Sequence, residues 1–479
     1  MKPELDIRPT GQGTIVILVS CLIAYFFSFM EAQPSRVAQI VAVCLLAGIS
    51  ISFLLDWRLG IRNLLRVDVF AFLALYFLSY FEFLFPQGHF DVLVNPDDVL
   101  PGIHVTLIGF AALAVGRHIR LGSGNHLAFV GKINLHRRYI VLIYFAAFFF
   151  SHLHMWVAVD FNPVVWIDEL MGPRFARAWG RGKFGNLSSL FYELILLSYV
   201  MPPIAGLIYA RWREYGKTTA ILITIPLLLL LFSGFTGGTR NVLAIHLAGL
   251  LAGFFVVQKR IRIWAIALVG GVTAICFFFL AEAMVEFRNM GFKTYVEEGM
   301  YRSDYKEFVD TTIGESSDGS SRGYFVDYNL WRITQLVGSI PEVYPYVGWN
   351  LPYVALTKPI PRAFWPGKPT DLAVSLEEVV GAEGYTIACT WIGEAYLAGG
   401  AFWILCVGLL IGVFCRFWNQ LANYISSPFA LIVFASGFFA VLLLMRSLMF
   451  FTTALLPSIA LIVMGFIIFK HQAKAEGHG

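Results

Sequence analysis

The feature that most constrains this chain is a series of apolar stretches, each about 20 residues long, that recurs from one end to the other. A helix of about 20 residues spans roughly 30 Å, the thickness of the hydrocarbon core of a bilayer. Hydrophobic residues make up 58% of the 479 residues and charged residues only 14%, so the apolar surface exceeds what a soluble globule can bury. The sequence therefore predicts an all-α polytopic membrane protein. It excludes a soluble enzyme, a disordered chain and a disulfide scaffold.

The apolar stretches predict twelve membrane-spanning helices in two groups. Residues 1–284 hold nine of them, residues 396–479 hold three, and residues 285–395 form a long segment between the groups. The spans are expected at about 14–30, 36–55, 67–86, 101–117, 139–159, 187–210, 218–234, 241–258, 263–284, 396–415, 428–445 and 449–469. An even number of spans places both termini on one side of the membrane.

The basic residues set the orientation, because Lys and Arg collect in the cytoplasmic loops of membrane proteins. On one side of the predicted bundle every connection carries at least one of them. These residues are Arg58, Arg62, Arg66, Arg117, Arg120, Lys132, Arg137, Arg138, Arg211, Arg213, Lys217, Lys259, Arg260, Arg262, Arg416, Lys470 and Lys474. Both termini are therefore expected in the cytoplasm. Segments 160–186 and 285–395 are expected outside it, since long loops cross a membrane regardless of charge. Function concentrates in such loops.

The outer loop 160–186 is rich in basic residues, although topology requires none on that side. It contains Arg174, Arg177 and Arg181 within a short stretch. Guanidinium groups grip phosphate oxygens at two points, so the loop predicts a clamp for a phosphate-bearing substrate. The alternative is a solvated basic loop that touches lipid headgroups.

The next outer turn reads GGTRN, at residues 237–241. Two glycines free the backbone just before the helix expected near Asn241, and Thr239 or a neighbour is expected to cap that helix. Exposed amides and the helix dipole favour an anion there, with Arg240 beside them. In the alternative, Arg240 only extends to the membrane interface.

The ninth predicted span ends in AEAMVEFRNM, where Glu282 and Glu286 lie one helical turn apart and share a face. Arg288 follows within the same turn. We expect Arg288 to pair with the substrate or with Glu286. Alternatively, these ionisable residues only mark the point where the span ends.

Segment 285–395 mixes polar tracts with short amphipathic pieces such as VDYNLWRITQLVGSI, a pattern typical of helices that lie over a membrane mouth. Its later part reads TKPIPRAFWPGKPTD, in which four prolines are expected to hold the backbone extended. Lys358, Arg362 and Lys368 would then project from it, with Trp365 between them. Cations suit a diphosphate and an aromatic ring suits a sugar, so these residues predict a sugar-processing site.

PRAFWPGKP, followed by GEAYLAGGAFWILCVGLLIG and preceded by GGTRN, resembles the oligosaccharide repeat-unit polymerases. These are the O-antigen and exopolysaccharide polymerases of bacterial inner membranes. The similarity in pattern covers roughly residues 230–415. The outer loops lack the clean R-x10-G repeat described for some members, so the catalytic reading of that repeat does not transfer.

The resemblance implies a membrane-embedded, GT-C-like glycosyltransferase that needs no metal and no cofactor. Its donor would be a growing glycan on undecaprenyl diphosphate, and its acceptor a single repeat unit on the same lipid carrier. A chain-length regulator protein and membrane lipid are the implied partners. No nucleic-acid partner is expected. O-antigen ligases share this architecture but use a different acceptor.

The transfer reaction needs a group to accept the proton of the acceptor hydroxyl. Glu394, in GEAYL at the outer edge of the tenth predicted span, is the first candidate and Glu286 the second. The alternative for Glu394 is a carboxylate that only favours the helix N-terminus. Arg446, in a short outer turn, either faces the same site or caps the end of its own helix.

A flippase or transporter for lipid-linked oligosaccharides is the competing function. It predicts charges through the membrane core and two related halves of the chain. The sequence instead collects its charges at the outer ends of the spans and contains no convincing internal repeat. A purely structural membrane partner would not explain the outer arginines.

Overall fold

The computed structural model describes residues 7–120, 127–133, 135–180, 188–258, 264–265, 268–273, 284, 290–297, 329–360, 364–369, 372, 376–379 and 388–476. Within these ranges the regular structure is helical and no β-strand occurs, which confirms the all-α prediction. The α-helices are α1 (Gly11–Phe27), α2 (Pro34–Trp57), α3 (Val67–Ser79), α4 (Gly88–Leu93), α5 (Pro96–Gly116), α6 (Ala128–Lys132), α7 (Arg137–Ala158), α8 (Pro163–Met171), α9 (Ser188–Ile195), α10 (Met201–Ala210), α11 (Trp212–Tyr215), α12 (Lys217–Thr236), α13 (Arg240–Val257), α14 (Phe292–Glu297), α15 (Asn329–Ser339), α16 (Asn350–Thr357), α17 (Leu376–Val379), α18 (Thr390–Asn419), α19 (Pro428–Arg446) and α20 (Phe451–Glu476).

The described part of the chain contains nine helical segments that are long and apolar enough to cross a membrane, so the chain is a membrane protein. They are Pro34–Trp57, Pro96–Gly116, Arg137–Ala158, Glu193–Ala210, Lys217–Thr236, Arg240–Val257, Thr390–Tyr424, Pro428–Arg446 and Leu448–Gln472. The shorter apolar helices α1 and α3 occupy two more of the predicted positions. The predicted span 263–284 lies largely outside the described residues, and the total of twelve stays a prediction.

Glycines let the central helices approach one another closely. A Cβ atom on Gly116 of α5 would lie 2.4 Å from the carbonyl oxygen of Leu409 in α18. A Cβ on Gly206 of α10 would similarly meet the backbone of Leu250 in α13 at 2.3 Å. Small residues at helix crossings are typical of membrane bundles, because apolar packing against lipid gives little driving force for association.

A buried ion network joins α2, α3, α5 and α18 at one end of the bundle, which we call the network end. Arg66 Nη2 lies 2.6 Å from Asp56 Oδ2 and 2.9 Å from Asp68 Oδ2, and Arg117 Nη1 lies 3.5 Å from the same Asp68 oxygen. Asn419 Nδ2 donates to Asp68 Oδ1 at 2.8 Å. The sequence placed Arg66 and Arg117 in inner connections, but both are fully buried, because carboxylates at the helix ends pair with them.

Helix α18 is broken into two pieces at Gly399 and Gly400. Gly400 has a φ of 70°, and a Cβ there would lie 2.9 Å from the Tyr346 hydroxyl. The helix begins at Thr390, six residues before the predicted start at 396, so the GEAYL motif is helical rather than part of the outer segment. The first piece carries Glu394, and the second runs to Asn419 in the ion network.

The directions of α13 and α18 show which residues lie at each end of the bundle. The carbonyl of Gln258, just past α13, accepts a hydrogen bond from Arg62 beside the ion network, so Arg240 at the start of α13 lies at the other end. Along α18, Glu394 lies in the first piece, and the second piece alone rises about 24 Å from Gly400 to Arg416 beside the network, at 1.5 Å per residue. Arg240 and Glu394 therefore share the end opposite the network, which we call the Glu394 end.

The amphipathic helix predicted within VDYNLWRITQLVGSI is present as α15. It buries Leu330, Ile333 and Leu336, while Arg332 lies over the ring of Trp331 at 3.8 Å. Its Thr334 and Gly338 pack against Gly102 and Asp98, so α15 runs antiparallel along the first part of α5 at the Glu394 end rather than lying over the mouth of the bundle. The residues that follow pair with α18, where the Val347 amide donates to the Leu397 carbonyl at 3.0 Å.

Candidate functional site

The Glu394 end brings together most of the residues that the sequence singled out and the structure describes. They are Arg174, Arg177, Arg240, Lys358, Trp365, Lys368, Glu394 and Arg446. Four other predicted site residues, Arg181, Glu286, Arg288 and Arg362, lie outside the described residues, as does Glu282.

Glu394 holds the turn between α19 and α20. Its side chain is 4% exposed, and its Oε1 accepts a hydrogen bond from the Ser447 hydroxyl at 2.6 Å. Its Oε2 accepts from the Met449 amide at 3.0 Å. Both carboxylate oxygens are therefore engaged in fixing the residues that follow Arg446.

Helix α16 packs against the same turn. The Thr452 hydroxyl donates to the carbonyl of Ala355, and the Lys358 ammonium lies 3.8 Å from the centre of the Phe450 ring. Lys358 also acts electrostatically on Glu394. The first cation of the proline-rich segment is thus placed beside the carboxylate.

The proline-rich segment turns back on itself instead of extending as the sequence predicted. The Lys368 amide donates to the Trp365 carbonyl at 3.1 Å, across a turn that contains Gly367. The Lys368 ammonium then donates to the carbonyls of Lys358 at 2.6 Å and Ile360 at 2.8 Å. Lys368 consequently folds over the end of α16, while the Trp365 side chain remains half-buried beside it.

Glu193 is a carboxylate of this end that the sequence reasoning missed. It lies in α9, and the charges of Lys368 and Lys358 act on it. Its Oε2 is buried and has no hydrogen-bond partner in the part of the chain that the structure describes. The available signal was a lone acidic residue in the apolar run FYELILL, since an ionisable group inside a span is costly unless it has a function.

Arg446 is the last residue of α19 and directly precedes Ser447. Its side chain is half-buried and makes no hydrogen bond or ion pair with the residues that the structure describes. Because Glu394 fixes the following turn, the position of Arg446 depends on that carboxylate.

The GGTR turn is anchored by the basic loop. Arg174 Nη1 donates to the Thr239 hydroxyl at 2.6 Å, and that hydroxyl donates to the Gly237 carbonyl at 3.2 Å. Thr239 occupies the N-cap position of α13 but its side chain makes no capping hydrogen bond, contrary to the prediction. Its hydroxyl is already engaged by Arg174 and Gly237. Arg240 begins α13 with its side chain half-buried.

Arg177 joins the basic loop to the end of α12. Its Nη2 donates to the carbonyls of Leu170 at 2.6 Å and Thr236 at 3.0 Å, and the side chain is 5% exposed. Burial, together with the neighbouring Arg174, lowers the pKa of Arg177 to about 10. These contacts give Arg177 a structural role, because its guanidinium points at backbone carbonyls rather than at a site open to substrate.

The described residues contain no group of three or more His, Cys, Asp or Glu side chains arranged to hold a metal ion. Around the turn between α19 and α20, the charged groups include the cations Lys358 and Lys368 and the carboxylates Glu394 and Glu193. Such a set is suited to bind an anionic leaving group and to accept a proton.

Comparison with known proteins gives one match. Residues 175–474 match the sequence model of the family described as "Domain of unknown function (DUF8712)". The match begins in the basic loop and includes α18, α19 and most of α20, so it contains Glu193 and all of the described candidate site residues except Arg174. No curated protein and no solved structure matches the chain.

Proposed function

Since this chain belongs to the DUF8712 family, whose description assigns no activity, we propose a function from its own site: it is a glycosyltransferase that polymerises a surface polysaccharide. It transfers a growing glycan from undecaprenyl diphosphate to a repeat unit on the same lipid carrier. The reaction takes place at the outer face of a bacterial inner membrane, with both termini in the cytoplasm.

One observation carries this proposal: the proline-rich motif and the GEAYL motif, which are distant in sequence, meet around one turn. Lys358 lies against Phe450, and Glu394 binds Ser447 and Met449 of that turn. Lys368, which belongs to the PRAFWPGKP motif of the resemblance, donates to the carbonyl of Lys358 and so links that motif to the same turn. Arg240 and Arg174 add further cations at the same end of the bundle.

In the proposed reaction the acceptor hydroxyl oxygen attacks the anomeric carbon of the donor glycan. The bond from that carbon to the diphosphate oxygen breaks, and the lipid diphosphate leaves with the bonding electrons. Arg240 and Arg446 stabilise the negative charge that develops on the diphosphate, as fixed guanidinium groups do without a metal ion.

The hydroxyl proton passes to a carboxylate, and we assign this role to Glu193. Its Oε2 has no hydrogen-bond partner among the described residues, whereas both oxygens of Glu394 are engaged. Glu394 then acts as a positioning residue that holds Arg446 and the turn in place. The assignment of the base to Glu394 from the sequence stays a prediction, as does that to Glu286.

We further propose that the protein has twelve membrane spans in a GT-C-like arrangement, with a periplasmic segment at 285–395 that covers the mouth of the site. Its proposed partner is a chain-length regulator protein. Trp365, beside Lys368, would offer an aromatic face to a sugar ring. Arg181, Arg288 and Arg362 are proposed to add to the diphosphate site.

Two other functions compete. A flippase would carry lipid-linked repeat units across the membrane, and an O-antigen ligase would transfer the finished glycan to another acceptor. The buried ions at the network end are paired with one another. The cations and the Glu193 carboxylate at the Glu394 end favour chemistry there over transport through the core.

A cellular experiment separates these functions. A strain without its own copy of the gene is complemented with Glu193→Gln, and its surface polysaccharide is resolved on a gel. Loss of long chains with single repeat units still displayed outside supports polymerisation. Repeat units trapped inside would support a flippase, and full-length chains left unattached on the lipid carrier would support a ligase.

A further inference from the structure

A second polar site lies at the network end, at the opposite end of α18 from Glu394. It is a cleft of about 460 Å³, a volume within the range of ligand-binding pockets. Its walls come from four separate parts of the chain: the residues before and at the start of α1, the residue Leu59 after α2, the residues after α5 and the end of α18. The lining residues are Arg8, Pro9, Thr10, Gly11, Gln12, Leu59, His118, Arg120 and Arg416.

The walls of the cleft are fixed to the buried ion network beneath it. The Thr10 amide and hydroxyl both bond to Asp56 Oδ1, at 2.8 and 2.6 Å. The carbonyl of Arg8 accepts from Arg66 at 3.1 Å, and the amide of Arg8 donates to Asn63 at 2.8 Å. The backbone that presents Arg8 is therefore held in place before any ligand arrives.

The opposite wall is held in the same way. Arg416 Nη1 donates to the Ile7 carbonyl at 3.3 Å, which joins the end of α18 to the segment before α1. His118 Nε2 lies 2.6 Å from the Thr14 hydroxyl, and Arg117 donates to that same hydroxyl. Arg120 follows two residues later with an exposed side chain.

Positive-inside topology alone does not account for this arrangement. Arg58, just after α2, and Arg138, in the first turn of α7, are basic residues of the same end, and both are exposed and lie outside the cleft. Arg8, Arg120 and Arg416 instead come from sites far apart in sequence and converge on one concave surface. Gly11 and Gln12, the first two residues of α1, line the same cleft, and the first amides of a helix have no partner within that helix.

We propose that this cleft binds a phosphate group, held by Arg8, Arg120 and Arg416 and by the first amides of α1. Guanidinium groups match phosphate oxygens at two points, and the positive end of a helix dipole favours the same anion. The phosphate comes either from the headgroup of an anionic lipid or from a soluble phosphate. In the orientation that the basic residues predict, this site faces the cytoplasm, and it does not depend on the proposed polymerase activity.

Thermal unfolding of the purified full chain in an uncharged detergent tests the proposal. One series is titrated with dioctanoyl-phosphatidylglycerol against dioctanoyl-phosphatidylcholine. The other is titrated with inorganic phosphate against chloride at equal ionic strength. The variants are Arg120→Gln, whose side chain is exposed, and Arg416→Gln. Arg138→Gln is the matched control for loss of one basic residue at the same end.

The wild type and Arg138→Gln should be stabilised by one phosphate source over its reference. Arg120→Gln and Arg416→Gln should need at least about tenfold more of that source for the same shift, as expected for the loss of one charge-assisted contact. A response to phosphatidylglycerol alone identifies a lipid, and a response to inorganic phosphate identifies a soluble ligand. Equal responses in the Arg120 and Arg138 variants, or no response to either source, would overturn the proposal.

Discussion

Replacing Glu394 separates a positioning role from a chemical role. Glu394→Gln keeps the size of the side chain: the amide oxygen can accept from the Met449 amide, and the amide nitrogen can donate to the Ser447 oxygen once that hydroxyl rotates. Glu394→Ala removes both bonds and leaves a buried amide without an acceptor. The two variants therefore differ in the structure that they preserve, while both remove the carboxylate.

The contacts set the size of the effect on the free energy of unfolding. A hydrogen bond to a carboxylate contributes about 1.5–3 kcal/mol, and a buried amide left unpaired costs about 1–3 kcal/mol. Glu394→Ala should thus destabilise the protein by about 3–6 kcal/mol. Glu394→Gln exchanges these bonds for weaker neutral ones and should cost about 1–2 kcal/mol.

The assay pairs thermal unfolding in detergent with the rate of polymer formation. For a chain of this length 1 kcal/mol corresponds to roughly 1 °C in Tm. The expected order of Tm is wild type, then Glu394→Gln, then Glu394→Ala. Ser447→Ala should add less than its full cost to Glu394→Gln, because the two side chains share one hydrogen bond.

The rate of polymer formation distinguishes the roles of Glu193 and Glu394. Glu193→Gln should lower the rate by about 10²–10⁴, the usual contribution of a general base, at nearly unchanged Tm. Glu394→Gln should lower the rate far less. A loss of that size in Glu394→Gln, with Glu193→Gln close to wild type, would refute the assignment and return the base to Glu394. Equal Tm values for the Gln and Ala variants of Glu394 would refute its role in holding the turn.

Three further changes test other parts of the account. Asp68→Ala removes a carboxylate that two buried arginines share and should cost about 3–5 kcal/mol, measured as Tm against the exposed control Asp97→Ala, which should stay near wild type. Gly400→Ala should cost about 1–3 kcal/mol by the same measurement, because of its φ of 70° and the nearby Tyr346 hydroxyl; an unchanged Tm would contradict this. Arg446→Ala should reduce polymer strongly and Arg446→Lys less so, since lysine lacks the planar grip on phosphate, and full-length polymer from the alanine variant would remove Arg446 from the site.

Much of the fold was predictable because a bilayer demands apolar helices of a given length. The predicted positions 428–445 and 449–469 correspond to α19 and to most of α20, and 139–159 differs from α7 by two residues at its start. The predicted span 396–415 starts six residues after the observed start of α18 at Thr390. The first piece of α18 carries Glu394 and so appears polar in the sequence.

The side-chain partners were less predictable, because they depend on contacts between distant parts of the chain. Arg117 was expected on a connection, yet it is buried against Asp68, 49 residues away. Lys368 was expected to project from an extended segment, but it folds back onto backbone carbonyls. Residue type alone gives neither outcome, since an arginine or lysine at a helix end can face water or satisfy a buried acceptor.

The candidate site was partly predictable. The sequence identified Glu394, Lys358 and Arg446 as separate features, and their meeting at one turn emerges only from the packing of α16 and α18 against α19 and α20. Glu193, by contrast, was missed by the sequence reasoning. A lone carboxylate in an apolar run was visible in the sequence, but the lysines that act on it lie more than 160 residues away.

The most direct test of the central claim is chain elongation by the purified protein. The full chain is placed in nanodiscs with lipid-diphosphate-linked repeat units and EDTA, and the products are separated by length. A polymerase should produce a ladder of lengthened glycans on the lipid carrier, with release of free lipid diphosphate and no requirement for a divalent metal. Unchanged single repeat units after incubation, together with movement of those units across the bilayer of proteoliposomes, would contradict the central claim and identify a transporter.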